Sequence, residues 1–120
     1  MTSRTLIIAP MTMADVGYVS ELEQRAFPTP WSANTYRAEL RNNQRSQYWV
    51  VRAGAGVSAG LPRILAYGGY WLLGDEIHIV TLAAHPDWRR RRLGEWLLLF
   101  MLETGCRQGA TAVTLEVRRS

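Results

Sequence analysis

The residues with the clearest chemical potential are four consecutive arginines, Arg89 to Arg92, which are followed by Leu93 and Gly94. The run lies between a β-like segment, Glu76 to Ala84, and a long apolar segment typical of a helix. The first N–H groups of a helix lack intrahelical partners and the helix dipole is positive there, so phosphate is attracted by geometry as well as by charge. The pattern predicts a diphosphate site at this corner of the fold.

The arginine run also explains the net charge of the chain. That charge is +4, and the other ten arginines are matched by ten acidic residues. A site for one polyanionic ligand explains such local charge better than a nucleic acid, which requires cations spread along a face. We therefore expect no nucleic-acid partner, and the alternative is a solvated basic turn or a nucleic-acid patch.

Length and composition favour a single domain, 1–120, in the cytoplasm. The chain has 120 residues and is 48% hydrophobic, which suits one core. Cys106 is the only cysteine, so neither a disulfide framework nor a multi-cysteine zinc site can form, and we expect no metal. The longest apolar stretch, Trp96 to Leu102, is too short to span a bilayer, and the N-terminus lacks a signal-peptide pattern. We expect no membrane association.

The elements that must position the basic turn follow from periodicity and capping residues. The pattern predicts strands over Arg4–Ala9, Tyr48–Arg52, Ile64–Leu73, Glu76–Ala84 and Ala112–Arg118, and helices from Thr12 with its capping partner Asp15 to about Arg25, from Ala33 to Leu40 after Ser32, and from Leu93 to Gln108 before Gly109. The order β-α-α-β-β-β-α-β indicates a mixed α/β fold with a mostly antiparallel sheet, closed by a parallel βαβ unit. Because Trp96 to Leu102 is apolar all round, we expect that helix to be covered on more than one side.

Several segments together resemble one family. The turn Arg89-x-x-Arg92-x-Gly94 is similar to the Gln/Arg-x-x-Gly-x-Gly/Ala signature of the GNAT acetyltransferases. The segments Phe27-Pro28-x-Pro30-Trp31-Ser32 and Leu115-Glu116-Val117-Arg118 look like those of the RimI-type members, in the same order. The resemblance spans nearly the whole chain and implies the acyl-CoA N-acyltransferase fold.

The resemblance also implies a reaction and a set of site residues. It implies that acetyl-CoA donates an acetyl group to a protein N-terminal amine, that of an alanine in a ribosomal protein. Strand residues would meet the pantetheine arm through their backbone, namely Leu82, Ala83 and Ala84. The pyrophosphate would be held by the turn, namely Arg89, Arg90, Arg91, Arg92, Leu93, Gly94 and Glu95. Glu116 would be the catalytic base, and Phe27, Pro30 and Trp31 would form a wall of the acceptor groove.

Other interpretations stay open at this point. The pattern alone favours Glu116 as a surface carboxylate paired with Arg118 or with a neighbouring strand. Core packing is an equal alternative to substrate contact for Phe27 and Trp31. The acceptor could instead be a small amine or a lysine side chain. A catalytically silent CoA-binding module is the alternative from another class.

The chain departs from the family pattern in two places. Arg92 stands where the family has a glycine, in a backbone conformation that a β-carbon hinders. The sequence stops at Ser120, where the family continues into a helix with a tyrosine general acid and two further strands. In the family a later strand pairs with the strand that carries Glu116, so that edge would be open here. We therefore expect either a homodimer through the edge or a lower stability of the folded chain.

Overall fold

A computed structural model describes residues 5–54 and 60–115. The strands are β1 (Leu6–Pro10), β2 (Ser46–Ala53), β3 (Ala66–Leu73), β4 (Glu76–Ala84) and β5 (Ala112–Leu115), and the helices are α1 (Val16–Ala26), α2 (Ala33–Asn42) and α3 (Leu93–Arg107). Short 3-10 turns precede α1 at Met13–Asp15 and α3 at Pro86–Trp88. The predicted order of elements is confirmed for the described residues. None of the helices among them is long and apolar enough to cross a membrane.

The strands form one sheet in the order β1-β2-β3-β4-β5. The first four strands pair antiparallel with their sequence neighbours, while β4 and β5 pair in parallel. The predicted fold class is therefore confirmed as mixed α/β with a mostly antiparallel sheet. Pro10 lies within β1, where a missing N–H is tolerated because β1 is an edge strand of this sheet.

The predicted helix ends are close to the observed ones because local hydrogen bonds fix them. The Thr12 N–H donates to Oδ2 of Asp15 at 2.9 Å, and the Thr35 N–H donates to Oγ of Ser32 at 3.1 Å. Gly109 follows α3 with φ +100°, the left-handed conformation that ends many helices. Strand bounds differ more, since β3 begins at Ala66 rather than at Ile64.

Hydrophobic residues pack on both faces of the sheet. On one face α1, α2 and Phe27 between them contribute to a buried cluster that contains Val16, Val19, Leu22, Phe27, Tyr36, Val80 and Ala83. On the other face α3 contributes Leu93, Leu97 and Met101. Trp96 and Leu99, on the outer side of α3, are 41% and 57% exposed. Among the described residues, α3 therefore packs on the sheet, and none of them forms the expected second cover on its outer side.

A β-bulge interrupts β4 at Val80. The register with β3 pairs Gly69 with Thr81 and Tyr70 with Ile79, which leaves Val80 as an extra residue. The last described pair between β4 and β5 is Ile79 with Leu115, and β4 continues to Ala84. The end of β4 therefore reaches past its described pairing with β5, toward the basic turn.

Candidate active site

The basic turn adopts an unusual backbone conformation. Arg90 has φ +67°, and Arg92 has φ +60° and ψ +20°, both in the left-handed region. Arg89 next to them has φ −64° and ψ +158°, which any residue adopts. Left-handed residues within a turn can point successive N–H groups into one concavity, the arrangement that proteins use to bind anions. The conformation expected to be hindered at Arg92 is thus present despite its β-carbon.

A cleft of about 350 Å³ lies against this turn. Its lining consists of Leu82, Ala83, Ala84, Trp88, Arg89, Arg90, Arg92, Leu93 and Gly94. All but Trp88 are residues that the sequence assigned to the cofactor. The structure therefore brings the end of β4, the basic turn and the start of α3 together around one cavity.

Two residues assigned to the cofactor are not part of that lining. The Arg91 guanidinium stacks on the Trp88 ring, 4.5 Å from its centroid. Glu95 is exposed in the first turn of α3, where the positive end of the helix dipole stabilises a carboxylate. Trp88 was not predicted as a ligand residue, yet it lines the cleft and its ring packs against the Arg91 guanidinium.

The start of α3 faces the same corner. The first bond of the helix runs from the Trp96 N–H to the Arg92 carbonyl at 2.9 Å, and Arg92 as N-cap supplies no side-chain cap. The N–H groups of residues 93 to 95 therefore have no acceptor within the helix. Arginine charge, the helix dipole and unpaired amides coincide, which suits a phosphate ligand.

The predicted acceptor segment, residues 27–32, lies on the α1 side of the sheet. Phe27 is 4% exposed and packs in the core, so it anchors the segment and does not offer its ring to an acceptor groove. Pro30 and Trp31 are half-buried, and the Trp31 ring packs on Tyr36 at 5.2 Å between centroids. None of Phe27, Pro30 and Trp31 lines the cleft at the basic turn.

A buried carboxylate holds this segment in place. Glu23 is 0% exposed and accepts hydrogen bonds from the Trp31 N–H at 2.9 Å and from the hydroxyls of Tyr36 and Tyr67 at 2.7 Å each. The sequence reasoning missed this role. The signal was a glutamate on the face of α1 that carries Val16, Val19, Leu22 and Ala26, since a buried carboxylate requires partners.

A second cleft, of about 510 Å³, was not predicted. It lies between α1 and the residues before β3 and is lined by Tyr18, Glu21, Leu22, Gln24, Arg25, Pro62, Arg63, Ile64 and His85. Arg63 stacks over Tyr18 at 5.2 Å and pairs with Asp15 at 3.6 Å. The second cleft shares no lining residue with the first, although His85 of the second directly follows Ala84 of the first in the sequence.

Two tyrosines near the sheet have raised pKa values. Burial, and then the Glu39 carboxylate that accepts the Tyr48 hydroxyl at 2.6 Å, hold the pKa of Tyr48 far above its ordinary value. Burial raises the pKa of Tyr70 to about 12. Both stay protonated at neutral pH, so neither can act as a general base there.

The predicted base, Glu116, lies outside the described residues, as do the last three residues of the predicted strand Ala112–Arg118. Its role therefore stays a prediction, as does a homodimer through that strand. Among the residues that the structure does describe, Val113 and Leu115 of β5 are 47% and 63% exposed. The same described residues contain no group of His, Cys, Asp and Glu side chains able to hold a metal ion.

Comparison with known proteins identifies the family. The chain matches the family model described as the acetyltransferase (GNAT) family over residues 17–120. It is 29% identical over 110 residues to a putative [ribosomal protein bS18]-alanine N-acetyltransferase of Bacillus subtilis, covering 92% of this chain and 68% of that protein.

Solved structures share the fold. The crystal structure of the ribosomal-protein-S18-alanine N-acetyltransferase from Escherichia coli superposes with a TM-score of 0.77 at 22% identity, covering 92% of this chain and 66% of that one. A GNAT family N-acetyltransferase from Escherichia coli in complex with CoA superposes with a TM-score of 0.76 at 15% identity, covering 96% of this chain and 64% of that one. The chain thus spans about two thirds of the length of the relatives it matches. With its sheet, its basic turn and a match over residues 17–120, the chain belongs to the GNAT acetyltransferase family.

Proposed function

We propose that this protein transfers the acetyl group of acetyl-CoA to a protein N-terminal amine. The observation that carries the proposal is the cleft at the end of β4, where Arg89, Arg90 and Arg92 meet the amides at the start of α3. A diphosphate needs cations and convergent N–H donors at one point, and this corner supplies both. The acetyl-CoA pyrophosphate fits there, with the pantetheine arm running along Leu82 to Ala84.

The acceptor is proposed to be the N-terminal alanine of a ribosomal protein. The support comes from the similar proteins, which are named [ribosomal protein bS18]-alanine N-acetyltransferases. The segment with Pro30 and Trp31 is the proposed wall of the acceptor groove. Its half-buried aromatic surface on the α1 side of the sheet is suited to packing against a peptide. A single cysteine, which is typical of a chain from a reducing compartment, favours a cytoplasmic reaction.

The proposed chemistry is direct attack in a ternary complex. The neutral amine attacks the thioester carbonyl, the C–N bond forms, and collapse of the tetrahedral intermediate breaks the C–S bond and releases CoA. Glu116 is the proposed base that accepts the amine proton, directly or through water. Backbone N–H groups of β4 beyond the bulge at Val80 are proposed to stabilise the oxyanion.

Calorimetric titration with acetyl-CoA tests the donor site. Arg90 lines the cleft, whereas Arg91 stacks on Trp88, and both are exposed arginines of the same turn. Arg90→Ala should weaken binding by about fivefold or more at low salt, because one charge facing the phosphates is worth on the order of 1 kcal/mol. Arg91→Ala is the matched control and should change the affinity less. Equal losses in the two variants, or no binding to the wild type, would contradict the proposed site.

Acetyl transfer is then measured with a peptide that has a free N-terminal alanine and with the same peptide blocked at its N-terminus. Modification of the free peptide alone supports an N-terminal acceptor. Equal modification of both would indicate a lysine or another amine. Thioester hydrolysis at the background rate in the presence of bound acetyl-CoA would support a silent CoA-binding module instead.

A further inference from the structure

We propose that Glu23 is a positioning residue that holds the acceptor segment, residues 27–32, in a fixed relation to the cofactor strand β4. The inference rests on the proposed function, because it assumes that this segment contacts the acceptor. Glu23 itself is fully buried, so it acts through the segment rather than by touching either substrate.

The two carboxylate oxygens of Glu23 serve different elements. Oε2 accepts the Trp31 N–H at 2.9 Å and so fixes the backbone of the segment. Oε1 accepts the Tyr36 hydroxyl of α2 and the Tyr67 hydroxyl of β3, each at 2.7 Å. A buried carboxyl group needs hydrogen-bond partners, and these three bonds supply them. One side chain therefore joins α1, the segment, α2 and the sheet.

The link to β3 sets the position of the segment relative to the cofactor cleft. Tyr67 is the register partner of Ala83, and Ala83 lines that cleft. The hydrogen bonds from Trp31 to Glu23 and from Tyr67 to Glu23 thus connect the segment to the residue that pairs with Ala83, on the strand along which the pantetheine is proposed to lie. Acyl transfer is sensitive to small displacements between the reacting groups, so a fixed segment favours productive alignment.

Both carboxylate oxygens of Glu23 act as acceptors in these three hydrogen bonds. Glutamine keeps the shape but has one acceptor oxygen and one NH₂ group. If its oxygen faces the two hydroxyls, which keeps two of the three bonds, its NH₂ group faces the Trp31 N–H, and donor meets donor. In the opposite orientation the hydroxyls must accept from the NH₂ group and no longer donate to residue 23. Glu23→Gln should therefore break either the Trp31 bond or the two hydroxyl bonds without changing the core volume, and the orientation that keeps two bonds releases the backbone at Trp31.

The test compares Glu23→Gln with Glu39→Gln. Glu39 also accepts a tyrosine hydroxyl and an indole N–H, from Tyr48 at 2.6 Å and from Trp71 at 2.7 Å, but neither bond involves a residue of the acceptor segment. Peptide affinity is measured by calorimetry with a free N-terminal alanine peptide in saturating CoA, and acetyl-CoA affinity is measured separately. We expect Glu23→Gln to weaken peptide binding about tenfold, the equivalent of one lost hydrogen bond, with acetyl-CoA affinity unchanged. Glu39→Gln should change neither affinity.

Amide hydrogen exchange gives a readout that does not depend on binding. In Glu23→Gln the Trp31 amide should exchange at least tenfold faster, whereas the Asn43 amide, which donates to the Glu39 carbonyl at the end of α2, should exchange at the wild-type rate. If Glu23→Gln does not fold, Tyr67→Phe replaces it, since that change removes the link to β3 and keeps the Trp31 bond. Tyr67→Phe should weaken the peptide about threefold or more without affecting acetyl-CoA.

The outcomes separate this inference from the proposed function. Equal peptide affinity in wild type and Glu23→Gln, or equal losses in Glu23→Gln and Glu39→Gln, would overturn the positioning role alone. Loss of acetyl-CoA affinity together with peptide affinity would also overturn it, because that pattern indicates general unfolding. A wild-type protein that binds acetyl-CoA but no free-amine peptide would overturn the acceptor assignment, and the inference with it.

Discussion

Replacing Arg92 by glycine should stabilise this protein, although it removes an arginine from the proposed phosphate site. Arg92 has φ +60° and ψ +20°, where a β-carbon approaches the neighbouring backbone. Arg89 provides a matched control. It lines the same cleft and is also exposed, but its φ of −64° and ψ of +158° lie in the ordinary extended region. The substitution Arg→Gly therefore removes the same atoms and charge at both positions and differs in backbone conformation.

The magnitude follows from two opposing contributions. A residue with a β-carbon in the left-handed region costs about 1–2 kcal/mol. Glycine loses about 0.5–1 kcal/mol more backbone entropy on folding than alanine does. Arg92→Gly should thus raise the free energy of unfolding by about 0.5–1 kcal/mol, whereas Arg89→Gly should lower it by about 0.5–1 kcal/mol. The expected gain at Arg92 corresponds to a Tm increase of about 2–5 °C for a domain of this size.

Urea unfolding of the three proteins, followed by circular dichroism, measures this difference. The two variants should differ by about 1–2 kcal/mol with equal m-values. Acetyl-CoA affinity should fall in both by a similar factor, and the loss should shrink as salt is added, because both variants lose one charge near the phosphates. Equal unfolding free energies for the two variants would refute the reasoning, since conformation would then contribute nothing at Arg92.

Three further predictions concern packing, titration and chemistry. Gly69→Ala should lower the free energy of unfolding by about 1–3 kcal/mol, because an added β-carbon would lie 2.1 Å from the Tyr48 ring. Gly17→Ala in α1, where a β-carbon meets open space, should raise the free energy of unfolding by about 0.5–1 kcal/mol. Equal urea midpoints for the wild type and the two variants would contradict both expectations. The pKa of Tyr70 rises from 10.0 to about 12 on folding, so unfolded chains lose this proton first and stability should fall as the pH rises through that interval; Tyr70→Phe should make the fall shallower, and an identical pH profile would exclude this tyrosine as a cause. Glu116→Gln should lower kcat by about 10²–10⁴-fold with acetyl-CoA affinity unchanged, and an unaltered kcat at saturating substrates would eliminate Glu116 as the base.

The parts of the fold that follow from local chemistry were predictable from the sequence. Thr12 with Asp15, Ser32 and Gly109 mark the helix ends because each acts within a few residues of itself. Alternating apolar residues likewise identified the strands, and β4 has the predicted bounds of Glu76–Ala84. The sheet order then follows from the pairing of strands that are neighbours in the sequence, with a two-residue connection between β3 and β4 and the α3 connection leading to a parallel strand.

Features that depend on contacts between distant residues were not predictable in this way. The bulge at Val80 exists because β4 has one residue more than β3 over the paired stretch, which no local pattern in either strand records. The network at Glu23 joins residues 13 and 44 positions further along the chain. The sequence does show a glutamate on a buried helix face, but only the fold shows that Tyr36 and Tyr67 are its partners.

The arginine run shows why composition alone assigns a site less well than conformation does. As a string of identical charges, Arg89 to Arg92 reads as one uniform patch. The backbone makes them different, because left-handed conformations at Arg90 and Arg92 alternate with other conformations along the turn. Arg91 stacks on Trp88, while Arg89, Arg90 and Arg92 line the cleft. Neutralising the turn residue by residue should therefore give unequal effects on acetyl-CoA binding, whereas a nonspecific basic patch would lose affinity in proportion to the charge removed.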